Sequence, residues 1–147
     1  MPSTAPREQA ETGLRHEMKT VFVTAAVVVE NGKVLVTQRK EGDSHGLLWE
    51  FPGGKVKERE EPREALEREL REELGVEAKA VGLLEAVYYV YPEFPILLLA
   101  YRCHIKKGIP RPIGCRDLRW VTWEDLRKLP MPPADDPIRE RLYVMGG

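Results

Sequence analysis

From Thr20 to Glu30 the chain reads TVFVTAAVVVE, a β-branched run with almost no polar interruption. That is the pattern of a strand covered on both faces. Asn31-Gly32 follows, the strongest short hairpin signal, and KVLVTQR over 33–39 alternates as a returning strand does. EGDSHG over 41–46 predicts a loop, and LLWEF over 47–51 a short strand stopped by Pro52 and Gly53-Gly54. Pro62 suits the first turn of a helix, where its missing N–H is not needed, and Gly75 suits its end. Further strands are predicted at 78–90, 96–105 and 117–122. A short helix over 123–129 starts behind Thr122, and a last helix is capped by Asp135 or Asp136. Hairpins mixed with helices predict a single α+β domain with a mixed sheet, not a doubly wound one.

The helix over 62–74 carries the first chemical question. Leu66, Leu70 and Leu74 make its buried stripe, since residues three and four apart share a face. From Glu60 to Glu73 there are seven glutamates and three arginines, a local charge of −4 in a chain whose formal net charge is −1. A solvated face would set its acids opposite the leucines. Glu69, Glu72 and Glu73 instead border them, where like charges repel unless a cation offsets them. Hard, oxygen-loving Mg²⁺ or Mn²⁺ is the natural candidate. Glu61, Glu64 and Glu67 lie among arginines and read as solvated surface, paired with Arg68 and Arg71. Gly53 and Gly54, just upstream, let the chain approach a ligand closely.

Charge and composition narrow the rest. A net charge of −1 argues against stable nucleic-acid binding, which shows as a basic excess. No stretch approaches the ~18 to 20 apolar residues of a membrane span. The first 18 residues are polar and lack the apolar core of a signal peptide, so they read as a mobile extension ahead of a domain over 19–147. Cys103 and Cys115 have neither metal-ligand spacing nor a disulfide framework, which fits a reducing cytoplasm.

Gly54, Glu60, Arg68-Glu69-Leu70, Glu72-Glu73 and Gly75-Val76 together resemble a complete Nudix box. WEFPGGKV over 49–56 and PPADDP over 132–137 further resemble the MutT-like branch of nucleoside triphosphate pyrophosphohydrolases, and the likeness runs from about Lys19 to the C-terminus. The resemblance implies the Nudix fold, a mixed sheet sandwiched between helices. It implies Mg²⁺- or Mn²⁺-dependent release of pyrophosphate from a nucleoside triphosphate, as a monomer or homodimer in the cytoplasm. Glu69, Glu72 and Glu73 match the metal-binding glutamates, with the Gly54 backbone beside them. Glu69 matches the residue that activates water or orients its base, and Arg68 the arginine that holds that carboxylate, with Glu60 as its partner. The Gly53 backbone matches a phosphate contact, and Arg39 a position near phosphate and base, against its plain reading as a surface arginine. Many relatives carry one more glutamate six residues before the tryptophan of the late strand. Here Gly114 stands there, and Asp117 or Glu93 is left to substitute.

For the base, Phe51, Tyr89, Tyr91 and Asp135 are candidates, although each aromatic also suits a strand core and Asp135 a helix cap. Asp135 aligns with an asparagine of the oxidised-guanine pattern. An ionised aspartate can only accept hydrogen bonds, which favours cytosine or guanine donors. Oxidised purine and cytidine triphosphates both remain open. Hydrolysis of ADP-ribose or a dinucleotide, and a weakly catalytic nucleotide-binding module, are the alternatives.

Overall fold

The computed structural model describes residues 19–145, so the extension expected over 1–18 lies outside the described residues. The strands are β1 Val21–Val27, β2 Val29–Glu30, β3 Lys33–Gln38, β4 Trp49–Glu50, β5 Gly53–Lys55, β6 Glu77–Val90, β7 Pro95–Lys107 and β8 Asp117–Val121. The helices are α1 Pro62–Leu74, α2 Trp123–Leu126 and α3 Asp136–Val144, the last entered through a 3₁₀ turn at Pro133–Asp135. One sheet runs β5-β1-β7-β6 and a second runs β2-β3-β4, with β8 on the other side of β3. β1 lies parallel to β7 and antiparallel to β5, so the first sheet is mixed, as expected of an α+β domain. Among the described residues no helix is long and apolar enough to cross a membrane.

The run over 20–30 is two strands and not one. β1 ends at Val27, and Val29–Glu30 turns into the second sheet to pair with Val34 and Lys33. Val28, fully buried at the corner, accepts a hydrogen bond from the Leu35 N–H at 3.0 Å. Both faces are covered here because the chain passes from one sheet to the other. Leu66, Leu70 and Leu74 of α1 close one core with Val28, Leu35, Val76 and Tyr101. A second core, on the opposite face of the first sheet, joins Phe51, Leu84, Tyr91, Leu98 and Ile138. Burying each large aliphatic side chain contributes roughly 1.5–3 kcal/mol, which fixes α1 against β1 and β5.

Two acids read as solvated hold structure. Glu61 is the N-cap of α1 and accepts from the N–H groups of Arg63 at 3.1 Å and Glu64 at 3.3 Å. Glu67 accepts from the Ala80 N–H at 3.0 Å, tying the helix to β6. Gly75 ends α1 at φ 71, its N–H donating to the Arg71 carbonyl at 3.0 Å. At the last helix neither aspartate caps by its side chain. The 3₁₀ turn runs straight into α3 and uses the first N–H groups itself, while Asp136 pairs with Arg139 at 2.6 Å. α2 is shorter than expected, but Thr122 caps it by accepting from the Asp125 N–H at 3.1 Å.

Candidate active site

The double glycine is a strand. β5 pairs with β1, Gly53 opposite Ala25 and Gly54 opposite Thr24, whose hydroxyl donates to the Gly54 carbonyl at 3.1 Å. Neither glycine has a positive φ, so space and not backbone freedom demands them. A Cβ on Gly53 would overlap the backbone of Thr24 and stand 2.9 Å from the Ala25 Cα. A Cβ on Gly54 would fall within the Glu69 carboxylate. The first turns of α1 therefore rest on β5, and Glu69 lies directly over the second glycine.

Arg68 fixes that carboxylate from the side. Its guanidinium donates to Glu60 at 2.7 and 2.9 Å, to the Lys55 carbonyl at 3.1 Å, to Glu69 at 3.3 Å and to Glu72 at 3.2 Å. Glu60 is thus the brace expected of it, and the contact with Arg68 lowers its carboxyl to about 2. Glu72 is more than half exposed and turned toward Arg68. Glu73 is half-buried; burial first, then the charge of Glu69 and a hydrogen bond with it, push its carboxyl up to about 8. Among the described residues no three acidic, histidine or cysteine side chains already converge as a metal cage. The Glu69–Glu73 pair still fits a divalent cation: two crowded carboxyls, one seated where a side chain on Gly54 would sit, are relieved by a positive ion.

Beside this pair opens a cavity of about 240 Å³. Gly53, Gly54 and Lys55 line one part of it; Phe51, Tyr91, Phe94 and Asp135 line another. Tyr89 does not line it, but packs against Tyr91 with ring centroids 4.7 Å apart. The Tyr91 hydroxyl accepts from the Ala134 N–H at 3.0 Å, fixing the wall next to Asp135. Asp135 is buried and accepts from the Phe51 N–H, while its Oδ2 has no partner among the described residues. Desolvation raises its carboxyl well above the ordinary range. In its protonated form such a carboxyl offers one donor and one acceptor, as asparagine does, where the ionised form only accepts.

Arg39 lines the cavity, yet its guanidinium is engaged: two bonds to Glu50 at 3.1 and 3.2 Å and one to the Ser44 carbonyl at 2.6 Å. Glu50 is a site residue that pattern reading missed. Burial raises its carboxyl against the pull of Arg39, and its charge is felt by both Glu73 and Asp135. The clue lay in LLWEF, where a lone acid inside an apolar strand requires a partner.

Of the two acids left to stand in for Gly114, Glu93 lines the cavity. Asp117 is half-exposed outside it, bonded to the Leu118 N–H and facing Arg119. Gly114 itself packs tightly on α1. A Cβ there would stand 3.1 Å from the Glu73 Cγ and 3.2 Å from its Cα. Its N–H and that of Ile113 both donate to the Glu73 carbonyl at 3.0 Å, so this loop finishes the C-terminus of α1.

Acids on a helix are thus set against a glycine strand, beside a cavity with aromatic walls. The chain belongs to the Nudix family, with the NUDIX domain model matching residues 18–142. It is 39% identical over 129 residues to the CTP pyrophosphohydrolase of Escherichia coli strain K12, covering 87% of this chain and 95% of that one. It is 35% identical over 128 residues to the 8-oxo-dGTP diphosphatase of Haemophilus influenzae, covering 84% and 93%. The solution structure of the E. coli ORF135 protein superposes with a TM-score of 0.77 at 34% identity, over 90% of this chain and 94% of that one.

Proposed function

We propose that this protein is a Mg²⁺- or Mn²⁺-dependent pyrophosphohydrolase of (deoxy)nucleoside triphosphates, releasing pyrophosphate and the monophosphate. Its role on this reading is sanitation of the nucleotide pool, with cytidine-type and oxidised purine nucleotides as substrates. The observation that carries the proposal is adjacency: the Glu69–Glu73 pair and an aromatic, carboxyl-bearing cavity share the strand Gly53–Lys55. The names of the relatives, one acting on CTP and one on 8-oxo-dGTP, agree with it.

A divalent cation held by Glu69, Glu72 and Glu73 would neutralise phosphate oxygens and supply an acidified water. Glu69, seated over Gly54 beside the cavity, is the carboxylate that would take a proton from the attacking water. Arg68 is a positioning residue: it touches Glu69 at 3.3 Å and is itself locked by Glu60 and the Lys55 carbonyl. The β5 backbone and Lys55 face the triphosphate, and Phe51 and Tyr91 face the base. On this reading Asp135 is protonated and donates to the base while Glu50 accepts from it. One donor beside one acceptor matches the N3 and amine edge of cytosine. The same pair matches the O6 and N7–H edge of 8-oxo-guanine, whereas unmodified guanine presents only acceptors on that edge. The protein works in the cytoplasm, in keeping with two free thiols, as a monomer or homodimer.

The test is a panel of normal and damaged nucleoside triphosphates with Mg²⁺, scored for products. Monophosphate plus pyrophosphate from cytidine, 5-substituted cytidine or 8-oxo-guanosine forms is the expected result, and no pyrophosphate from any of them ends the reading. Gly114 favours a second reading, nucleotide binding with little turnover. Turnover that is abolished by Glu72→Gln excludes it.

A further inference from the structure

We infer that His45 forms part of the wall against which the nucleobase stacks, a specificity-determining contact supplied by the loop between β3 and β4. The inference rests on the nucleotide reading above and adds a residue to it. Pattern reading left this segment as a plain loop, yet it is closely built. The N–H groups of Asp43, Gly46 and Leu48 donate to the carbonyls of Lys40, Asp43 and His45 at 3.2, 2.9 and 3.2 Å. The side chains of Arg39 and Gln38 donate to the Ser44 and Leu47 carbonyls at 2.6 and 3.1 Å.

Within it, His45 and Leu47 hold φ values of 57 and 68, in the left-handed region that side chains with a Cβ avoid. Asn31, also left-handed, belongs to the Asn-Gly hairpin turn, where that conformation is ordinary. His45 takes the third position of the turn Asp43–Gly46, closed by the Gly46 N–H on the Asp43 carbonyl at 2.9 Å, in the loop that joins the paired strands β3 and β4. That turn sets the direction of its side chain. Its outcome here is specific. The imidazole lies 4.8 Å from the Tyr91 ring at 56°, and His45 lines the same cavity as Phe51, Tyr91 and Asp135. Its Nδ1 is 3.4 Å from the Ser44 hydroxyl, and its Nε2 has no partner among the described residues. Tyr91 is in turn fixed through the Ala134 N–H next to Asp135, so the polar group and the stacking wall form one unit.

A stacked base loses about tenfold in affinity when one stacking partner is truncated. The measurement is binding of α,β-methylene cytidine triphosphate in Mg²⁺ by calorimetry, with tripolyphosphate as a second ligand and thermal unfolding alongside. His45→Ala should weaken the nucleotide about tenfold and leave tripolyphosphate within twofold. His45→Phe should recover most of the loss. His45→Gly should bind as poorly as the alanine variant, yet melt no lower than wild type, because glycine accepts the left-handed angle without strain. Wild-type nucleotide affinity in the alanine variant overturns the inference, as does parallel loss of tripolyphosphate, failure of phenylalanine to recover binding, or a lowered melting point for the glycine variant. A wild-type protein that binds no nucleotide removes the pyrophosphohydrolase reading, and this inference with it.

Discussion

Exchanging each glycine of β5 for alanine separates fold from chemistry, because the added methyl group meets different neighbours. At Gly54 it meets only the Glu69 side chain. The Glu69 Oε1 would stand 2.7 Å away and its other carboxylate atoms closer still, against an ordinary contact limit of 3.4 Å. The carboxylate must therefore retreat by roughly 1 Å, which a side-chain rotation accomplishes without moving the backbone. Stability changes by no more than about 1 kcal/mol, since alanine also lowers the entropy of the unfolded chain. A misplacement of about 1 Å in a reacting group costs ~10² in rate, equivalent to about 2.7 kcal/mol of barrier. At Gly53 the methyl group instead meets the Thr24 backbone and the Ala25 Cα. The β1–β5 pairing must then open, at about 3 kcal/mol and roughly 10 °C of melting temperature. The assays are thermal unfolding, Mn²⁺ titration by electron paramagnetic resonance, and pyrophosphate release. Gly54→Ala should melt like wild type while kcat and Mn²⁺ affinity fall; Gly53→Ala should melt early. Wild-type kcat and Mn²⁺ affinity in Gly54→Ala would refute the placement of Glu69 as the working carboxylate.

Three further outcomes follow from the charges. Because Arg68 holds the Glu60 carboxyl down to about 2, that contact stabilises the fold above the ordinary carboxylate range and is lost as pH falls through 2; Glu60→Gln should flatten melting temperature against pH between about 4.5 and 2. Asp135 behaves oppositely. Its raised folded-state carboxyl favours the fold at low pH and penalises it as pH rises past the unfolded value near 4, so Asp135→Asn should gain on wild type with increasing pH, and a constant difference would contradict the raised carboxyl. Burial pushes the Cys115 and Cys103 thiols up to about 11 and about 12, so neither should react with iodoacetamide at pH 8 in the folded protein, and both should on unfolding, as read by mass spectrometry.

The helix was legible because helix geometry is local. Spacings of three and four residues place Glu69 and Glu73 beside the leucine stripe before any partner is known. Its arginine and its end-stop glycine were readable for the same reason. Roles that depend on another element were not. Glu67 looked solvated because its partner, the Ala80 N–H, arrives only when β6 packs against α1. The sheet change at Val28 was hidden because both faces of the chain are covered there. Tyr89 and Tyr91 could not be ranked by alternation, since residues two apart share a face; Tyr91, just past the end of β6, lines the cavity and Tyr89 does not. The raised carboxyl of Asp135 is a property of its enclosure, which residue type does not carry.

The acids of the site are balanced one by one, and that arrangement bears on the glycine at position 114. Glu69 is offset by Arg68 and Glu50 by Arg39, while burial raises the Asp135 carboxyl. Glu73 has no arginine against it within salt-bridge distance among the described residues, and shares its burial with Glu69. It is the group a cation would relieve most. A further carboxylate at position 114 would add a like charge directly on Glu73, where a Cβ already stands only 3.1 Å from the Glu73 Cγ. It would also crowd the loop whose Ile113 and Gly114 N–H groups finish α1 at the Glu73 carbonyl. Glycine there lets the loop support the helix end that carries Glu73, and Glu93, already at the cavity wall, leaves room for an outer acid on the opposite side.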